Sequence, residues 1–251
     1  MIYALTPMEA VRAIMANIGR IEVNALLQVG IKVLEEGPKR HYLIQMGSQT
    51  FQSKSDQPLK PGVEYWGEIT HTKEGIIHLK NLHPKPSLLR QETFFDFEMV
   101  EDLAKKSHPV RHFKEHILHL MAQSQSKEHF QNLTSLLLSM HQQILSLPLK
   151  YEGRSLLLQM KSRSEKGKEQ RSKSVEFYAA LNNLGPLEGV VTVQNHLKEV
   201  VLRLFYKKSV QWLKGELLRL KGFERVEVLH SSHPVLPLWD AEGSALLDIK
   251  G

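Results

Sequence analysis

The chain has 251 residues, no cysteine, 41% hydrophobic and 24% charged residues, and a formal net charge of +6. This composition describes a globular chain rather than a disordered one, and it excludes disulfides and thiolate metal centres. No stretch approaches the roughly 20 apolar residues that span a bilayer, and the first 20 residues hold Glu9 and no compact apolar run behind a basic start, against a cleaved secretory signal.

In chain order, Val11, Ile14, Met15 and Ile18 recur at helical spacing. After Gly19 the pattern shifts to short runs of β-formers at 23–34, 41–46, 49–53, 65–70 and 76–82. Turn clusters at Glu36-Gly37-Pro38, Gly47-Ser48, Lys60-Pro61-Gly62 and Lys73-Glu74-Gly75 separate them. Five short strands at this spacing predict a small barrel, of the oligonucleotide/oligosaccharide-binding (OB-like) type. The first domain is thus placed at 1–84.

His83-Pro-Lys-Pro86 punctuates the end of that domain, and residues 85–143 read as a helical segment. Phe94, Phe97, Val100 and Leu103 form one stripe; Phe113, Ile117, Leu120 and Met121 a second; Phe130, Leu133, Leu137, Met140 and Ile144 a third. Ser107 followed by Pro109 marks a helix start, because proline is tolerated in a first turn.

A third domain is placed at 144–230, followed by a tail at 231–251. Leu145, Leu147, Leu149 and Tyr151 alternate, and Pro148 predicts an edge strand because it lacks an N–H for the ladder. Leu156, Leu158 and Met160 follow the turn at Gly153; Val175, Phe177, Ala179 and Leu181 alternate again. Asn195-His196 splits a hairpin. Val210, Leu213, Leu217 and Leu220 then give one helix face, which Gly222 closes, and Val226 and Val228 return to the sheet. The fold class expected is α+β: a barrel, a helical segment, and a compact αβ domain with a mainly antiparallel sheet and one packed helix.

The basic balance is local. Residues 161–174 contain Lys161, Arg163, Lys166, Lys168, Arg171 and Lys173 against Glu165 and Glu169, so +4 of the +6 lies in one Ser-punctuated loop. The loop reads as a solvated connector, with a phosphate or acidic partner as the sharper alternative.

His108, His112, His116 and His119 occupy one helical stripe with Glu115 beside it, a spacing at which two imidazoles can share a metal. With Phe113, Ile117 and Met121 opposite, the stripe is expected to face solvent and no metal is expected there. Asp96, Glu98, Glu101 and Asp102 read as a solvated face. Phosphate-loop, dinucleotide and nucleophile-elbow signatures are missing, so neither a catalyst nor a cofactor is expected. In the barrel, Lys39, Arg40, Tyr42, Phe51, Tyr65 and Trp66 are the candidates for gripping single-stranded nucleic acid, with core filling as the alternative for Tyr42 and Phe51. Trp212 and Trp239 are ambiguous between packing and partner contact, with packing the first reading for Trp212 beside the helix's apolar stripe.

Residues 144–229 carry a resemblance. Leu147-Pro148-Leu149 with Gly153, the alternating run 175–181, Leu184-Gly185-Pro186-Leu187, the strand at 200–205 and the helix closed by Gly222-Phe223 together resemble the C-terminal domain of the flagellar hook-length control (FliK) family. The resemblance covers about a third of the chain. It implies a non-enzymatic regulator or adaptor of flagellar type III export, a switch of substrate specificity. The implied partner is the cytoplasmic domain of the membrane component of the export gate, with hook or hook-cap proteins as further partners. The implied location is the cytoplasm, with passage through the export channel left open. Leu184, Gly185, Pro186 and Leu187, which match the family's turn, and Leu217, Leu220 and Phe223 are carried over as partner-binding positions, with shaping of the hairpin as the alternative for the turn and core packing for the last three. The front of the chain departs from the family, whose members have a long polar Pro/Gln-rich region thought to measure the hook. Nucleic-acid binding through the barrel and the basic loop is the alternative function; membrane insertion is not expected.

Overall fold

The computed structural model describes residues 29–71, 77–91, 93–151, 153–163, 172–194, 197–217 and 222–241. The expected helix around Val11–Ile18 lies outside them, as do most of the basic loop and Leu220. Two compact units result: one holds the barrel residues up to Pro86 with Asn182–Gly185, the other Ser87–Leu181 and the described residues from Pro186 onward. The helical section and the αβ domain, placed in separate domains by sequence, therefore belong to one unit.

The barrel is closed. β1 (Val29–Glu36), β2 (His41–Met46), β3 (Gln49–Ser55), β4 (Glu64–His71) and β5 (Ile77–Pro84) run in the order β1-β2-β3-β5-β4, with β1 and β4 pairing to shut it. Only β3 and β5 pair in parallel. Alternation explains the core: Ile31, Val33, Tyr42, Ile44, Tyr65, Ile77 and Leu79 point inward, and Leu59 plugs one end. The turn at Leu59–Gly62 is held by two of those core tyrosines. Leu59 N–H donates to Tyr42 Oη at 3.2 Å and Lys60 N–H to Tyr65 Oη at 3.0 Å, so both buried phenols close their own hydrogen bonds locally. Gly62 takes φ +80, as that turn requires.

The second unit is a seven-stranded sheet with helices. Its strands are β6 (Phe95–Asp96), β7 (Leu145–Tyr151), β8 (Arg154–Arg163), β9 (Ser172–Leu181), β10 (Gly185–Gln194), β11 (Leu197–Leu204) and β12 (Arg225–His230), neighbours in that order. β7–β8, β8–β9 and β10–β11 are antiparallel, while the outermost pairs, β6–β7 and β11–β12, are parallel. Crossing back parallel requires a connection over the sheet, which the helix between β11 and β12 supplies. The helices are α1 (Ser87–Arg90), α2 (Phe97–Lys105), α3 (Pro109–Gln123), α4 (Lys127–His141) and α5 (Lys207–Gly215).

Four expectations need correction. Pro148 is not in an edge strand: it pairs with Leu157 across β7–β8, and β6 adds on the other side at Leu149 and Lys150. β6 pairs only those two residues, so the absent N–H at 148 falls outside its register. The first helical stripe shortens, because α2 starts at Phe97 and only Val100 and Leu103 of the stripe are buried in it. The buried face of α4 is Asn132, Leu133, Ser135, Leu136 and Ser139, while Phe130 is 47% exposed. Small serines let α4 approach β7 closely, and Ser139 Oγ satisfies itself by donating to Leu136 O at 2.8 Å. Finally, α5 stops at Gly215, short of Gly222; Glu216 N–H bonds back to Leu213 O as the helix tightens, and Gly215 lacks the propensity to carry the turn onward. Gly222 still adopts the left-handed φ of +87.

Register divides the sheet into two faces. Leu145, Leu147, Leu149, Leu156, Leu158, Met160, Phe177 and Ala179 share one, with Phe95 beside Leu149. The opposite face carries Ser146, Leu157, Gln159, Tyr178 and Ala180. Here the expected tail is an ordered strap as far as Ala241: Val235 and Trp239 are buried, and Gln159 bonds both backbone polar groups of Trp239. Its Nε2 donates to Trp239 O at 2.7 Å, and its Oε1 accepts Trp239 N–H at 3.3 Å. Asp240 takes the Ser87 N–H and hydroxyl. Among the described residues, no helix is long and apolar enough to cross a membrane.

Candidate functional site

The seven residues carried over by resemblance fall into two groups. Leu184 and Leu187 are 2% and 6% exposed, and Gly185 and Pro186 are buried beside them. Gly185 has φ +83, the conformation that lets the chain turn from β9 into β10. Asn182–Gly185 cluster with the barrel residues: Trp66 Nε1 donates to Asn182 O at 3.2 Å, and Lys85 Nζ lies 3.5 Å from Asn182 Oδ1. Lys85 is itself held by Glu64 at 3.0 Å and lies 5.9 Å from the Trp66 ring centroid. The turn is thus packed and hydrogen-bonded rather than presented. Leu217 and Phe223, by contrast, are half-buried and flank the connection from α5 to β12. Leu220 lies outside the described residues. Exposed Lys207, Lys208 and Lys214 give α5 a basic outer side.

The barrel candidates divide similarly. Tyr42, Tyr65 and Trp66 are buried, and Phe51 packs against the core, so none of the four offers an open ring face for base stacking. Lys39 and Arg40 remain exposed, each with positive φ in the short turn before β2. Of the basic loop, Lys161 and Arg163 belong to β8 and Lys173 to β9; residues 164–171 lie outside the described residues.

The histidine stripe is not uniformly solvent-facing. His108 starts α3 in a left-handed conformation, His119 is exposed, and His112 pairs with Glu115 at 3.3 Å. A hydrogen bond from Arg111 holds the Glu115 carboxyl below its usual range. His116, however, is half-buried, its ring 6.1 Å from that of Phe95, which also meets Phe113 edge-on at 5.1 Å. Desolvation, with smaller contributions from His119 and Lys106, pushes the His116 pKa down and so disfavours the charged ring. No group of three His, Asp or Glu able to hold a metal occurs among the described residues. On α2, Lys105 ties Asp102 at 3.0 Å and Glu101 at 4.0 Å on an exposed face.

His116 borders a cleft of about 550 Å³ that sequence reasoning missed. Residues 93–96 form one side; Met99 of α2, Leu120 of α3, and Ser126, Glu128, His129 and Asn132 at the start of α4 complete it. Ser126 caps α4 by accepting the His129 N–H, and the His129 ring sits 3.2 Å from Ser124 Oγ. The cap signal was readable locally, but Asp96 and Glu128 are brought to one opening only by the β6–β7 pairing and the packing of α3 on α4. No family model, curated protein or solved structure matches this chain.

Proposed function

We propose that the chain is a non-enzymatic regulator or adaptor of flagellar type III export, acting through its C-terminal αβ domain on the cytoplasmic domain of the export gate. One observation carries the reading: the succession β9, turn at 182–185, β10, β11, α5 and a β12 that returns parallel to β11. This is the order in which the resembling motifs occur, although Leu184 and Gly185 of the turn cluster with the barrel residues and the other described motif residues belong to the sheet unit. The burial of Leu184 and Leu187 favours a shaping role for the turn. The half-exposed Leu217 and Phe223, beside the basic side of α5, are better disposed for first contact. Phe223→Ala in the full chain should weaken binding to the gate's cytoplasmic domain with the fold intact, read by titration calorimetry and circular dichroism. A deletion strain should show altered hook length or a failed change to filament export. Normal hooks and filaments in that strain would exclude the reading.

A second reading, single-stranded nucleic-acid binding, is favoured by the barrel's strand order β1-β2-β3-β5-β4 with β3 and β5 parallel, which supports an OB-like assignment. The inward aromatics count against it. It requires retention of labelled single-stranded DNA or RNA that falls steeply with salt; no retention at low salt removes it.

A further inference from the structure

The β6 end of the sheet has a property that the export reading leaves unused. β6 is two residues long, ends the strand order, and takes no further strand beyond it among the described residues. A strand end with free N–H and C=O groups is a template for an added strand. The 550 Å³ cleft runs beside residues 93–96 of this same segment. Its walls combine half-buried apolar Phe94, Met99 and Leu120 with polar Thr93, Ser126 and Asn132, the imidazoles of His116 and His129, and the exposed carboxylates of Asp96 and Glu128. Among the described residues lining it there is no lysine or arginine, although the chain as a whole carries +6. The cleft therefore has the opposite sign to the protein that holds it. Phosphate-bearing ligands are repelled there, and cationic ones drawn in.

We propose that this cleft docks an extended segment of a partner protein, laid along residues 93–96 as an added strand. One apolar side chain enters against Phe94 and Leu120, and an arginine or lysine is directed to Asp96 and Glu128. Backbone pairing supplies affinity, and the two carboxylates supply the choice of sequence. The site does not depend on the export reading, since it uses none of the residues carried over from the family.

The test uses the full chain and fluorescein-labelled octapeptides of alternating valine and serine with one central arginine. Fluorescence anisotropy should show saturable binding, weakened about tenfold or more when glutamate replaces the arginine, because like charges then face each other. N-methylation of alternate peptide amides should abolish binding on one of the two alternations, which side-chain contact alone would not do. Asp96→Asn with Glu128→Gln should weaken the arginine peptide roughly three- to tenfold, as expected of two exposed ion pairs. Both residues are exposed and Asp96 makes no side-chain cap bond, so the fold should be unaffected. Absent saturable binding, equal binding of the arginine and glutamate peptides, or indifference to either N-methylated series would each overturn the proposal.

Discussion

The cores of the barrel and of the sheet unit close their buried polar groups over different stretches of chain. In the barrel core Tyr42 Oη meets the amide of Leu59, 17 residues away, and Tyr65 Oη that of Lys60, five away, while outside that core Trp66 Nε1 reaches Asn182 O across 116. In the sheet unit Gln159 reaches Trp239 across 80 residues, and Ser87 meets Asp240 across 153. In the sheet unit Tyr178 Oη is also fully buried with no protein hydrogen-bond partner, as is one carboxylate oxygen of Glu216. A core closed by local hydrogen bonds assembles from short-range signals. One closed by a distant strap depends on the chain's end returning to the sheet.

Removing the large ring on the outer side of β4 should have the largest effect. Trp66 is wholly buried and its Nε1 is committed to Asn182 O. Trp66→Ala should cost about 3–5 kcal/mol, the range for truncating a large buried ring. Urea unfolding monitored by circular dichroism measures it, and a loss under about 1 kcal/mol would mean that the ring is not packed as described.

The strap comes next. Gln159→Leu removes both hydrogen bonds to the Trp239 peptide group while keeping an apolar side chain in a fully buried place. It should cost about 1–3 kcal/mol, the penalty for stranding buried backbone groups. Limited proteolysis should then cut within residues 231–241 sooner than in the parent chain. Unchanged cleavage there would show that the strap is held by its apolar anchors, Val235 and Trp239, and not by Gln159.

This contrast explains what the sequence disclosed. Runs of β-formers between turn clusters marked the five barrel strands, and alternation marked β7, β8 and β9, because one buried face writes itself into every second residue. Alternation could not disclose β6, since Phe95–Asp96 is too short to alternate. Nor could it disclose the real face of α4, where Ser135 and Ser139 are buried for their size and not for their hydropathy. The candidate sites show the same division. The turn at Leu184–Leu187 was legible as a turn, but its burial was not. The cleft joins Asp96, His116 and Glu128, which no local pattern connects. Gly189 is a further case: a Cβ there would stand 2.6 Å from the Phe177 ring and 2.8 Å from Val201 O, a constraint set wholly by neighbouring strands.

A smaller effect should come from the unmatched phenol. Tyr178→Phe removes a hydroxyl that has lost water without gaining a protein partner, and stability at neutral pH should rise by about 1 kcal/mol. Burial, then the nearby Asp240 and Tyr206, push the Tyr178 pKa well above its ordinary value. The unfolded phenol therefore ionises near pH 10 while the folded one keeps its proton. The stability it contributes is full below that pH and is lost as pH rises above it. The Phe variant should resist alkaline unfolding better than the parent. Equal alkaline midpoints, with no gain at neutral pH, would mean that the hydroxyl is satisfied.

The smallest expected effect lies on the acid side, at the cleft. His116 has its folded pKa lowered by desolvation and by the charges of His119 and Lys106. In the unfolded chain it takes up a proton as pH falls through about 6.5, whereas the folded chain resists doing so. The unfolded state then binds more protons, so stability declines as pH falls through that value, and the penalty is absent above it. His116→Gln should flatten the fall in melting temperature between pH 7 and pH 5, by an amount tempered by the ring's substantial solvent exposure. The same substitution at exposed His141, which is not among the groups acting on His116, serves as the control. Identical slopes in the parent and both variants would show that burial against Phe95 imposes no charge penalty, and the cleft would then be as freely solvated as the outer face of α3.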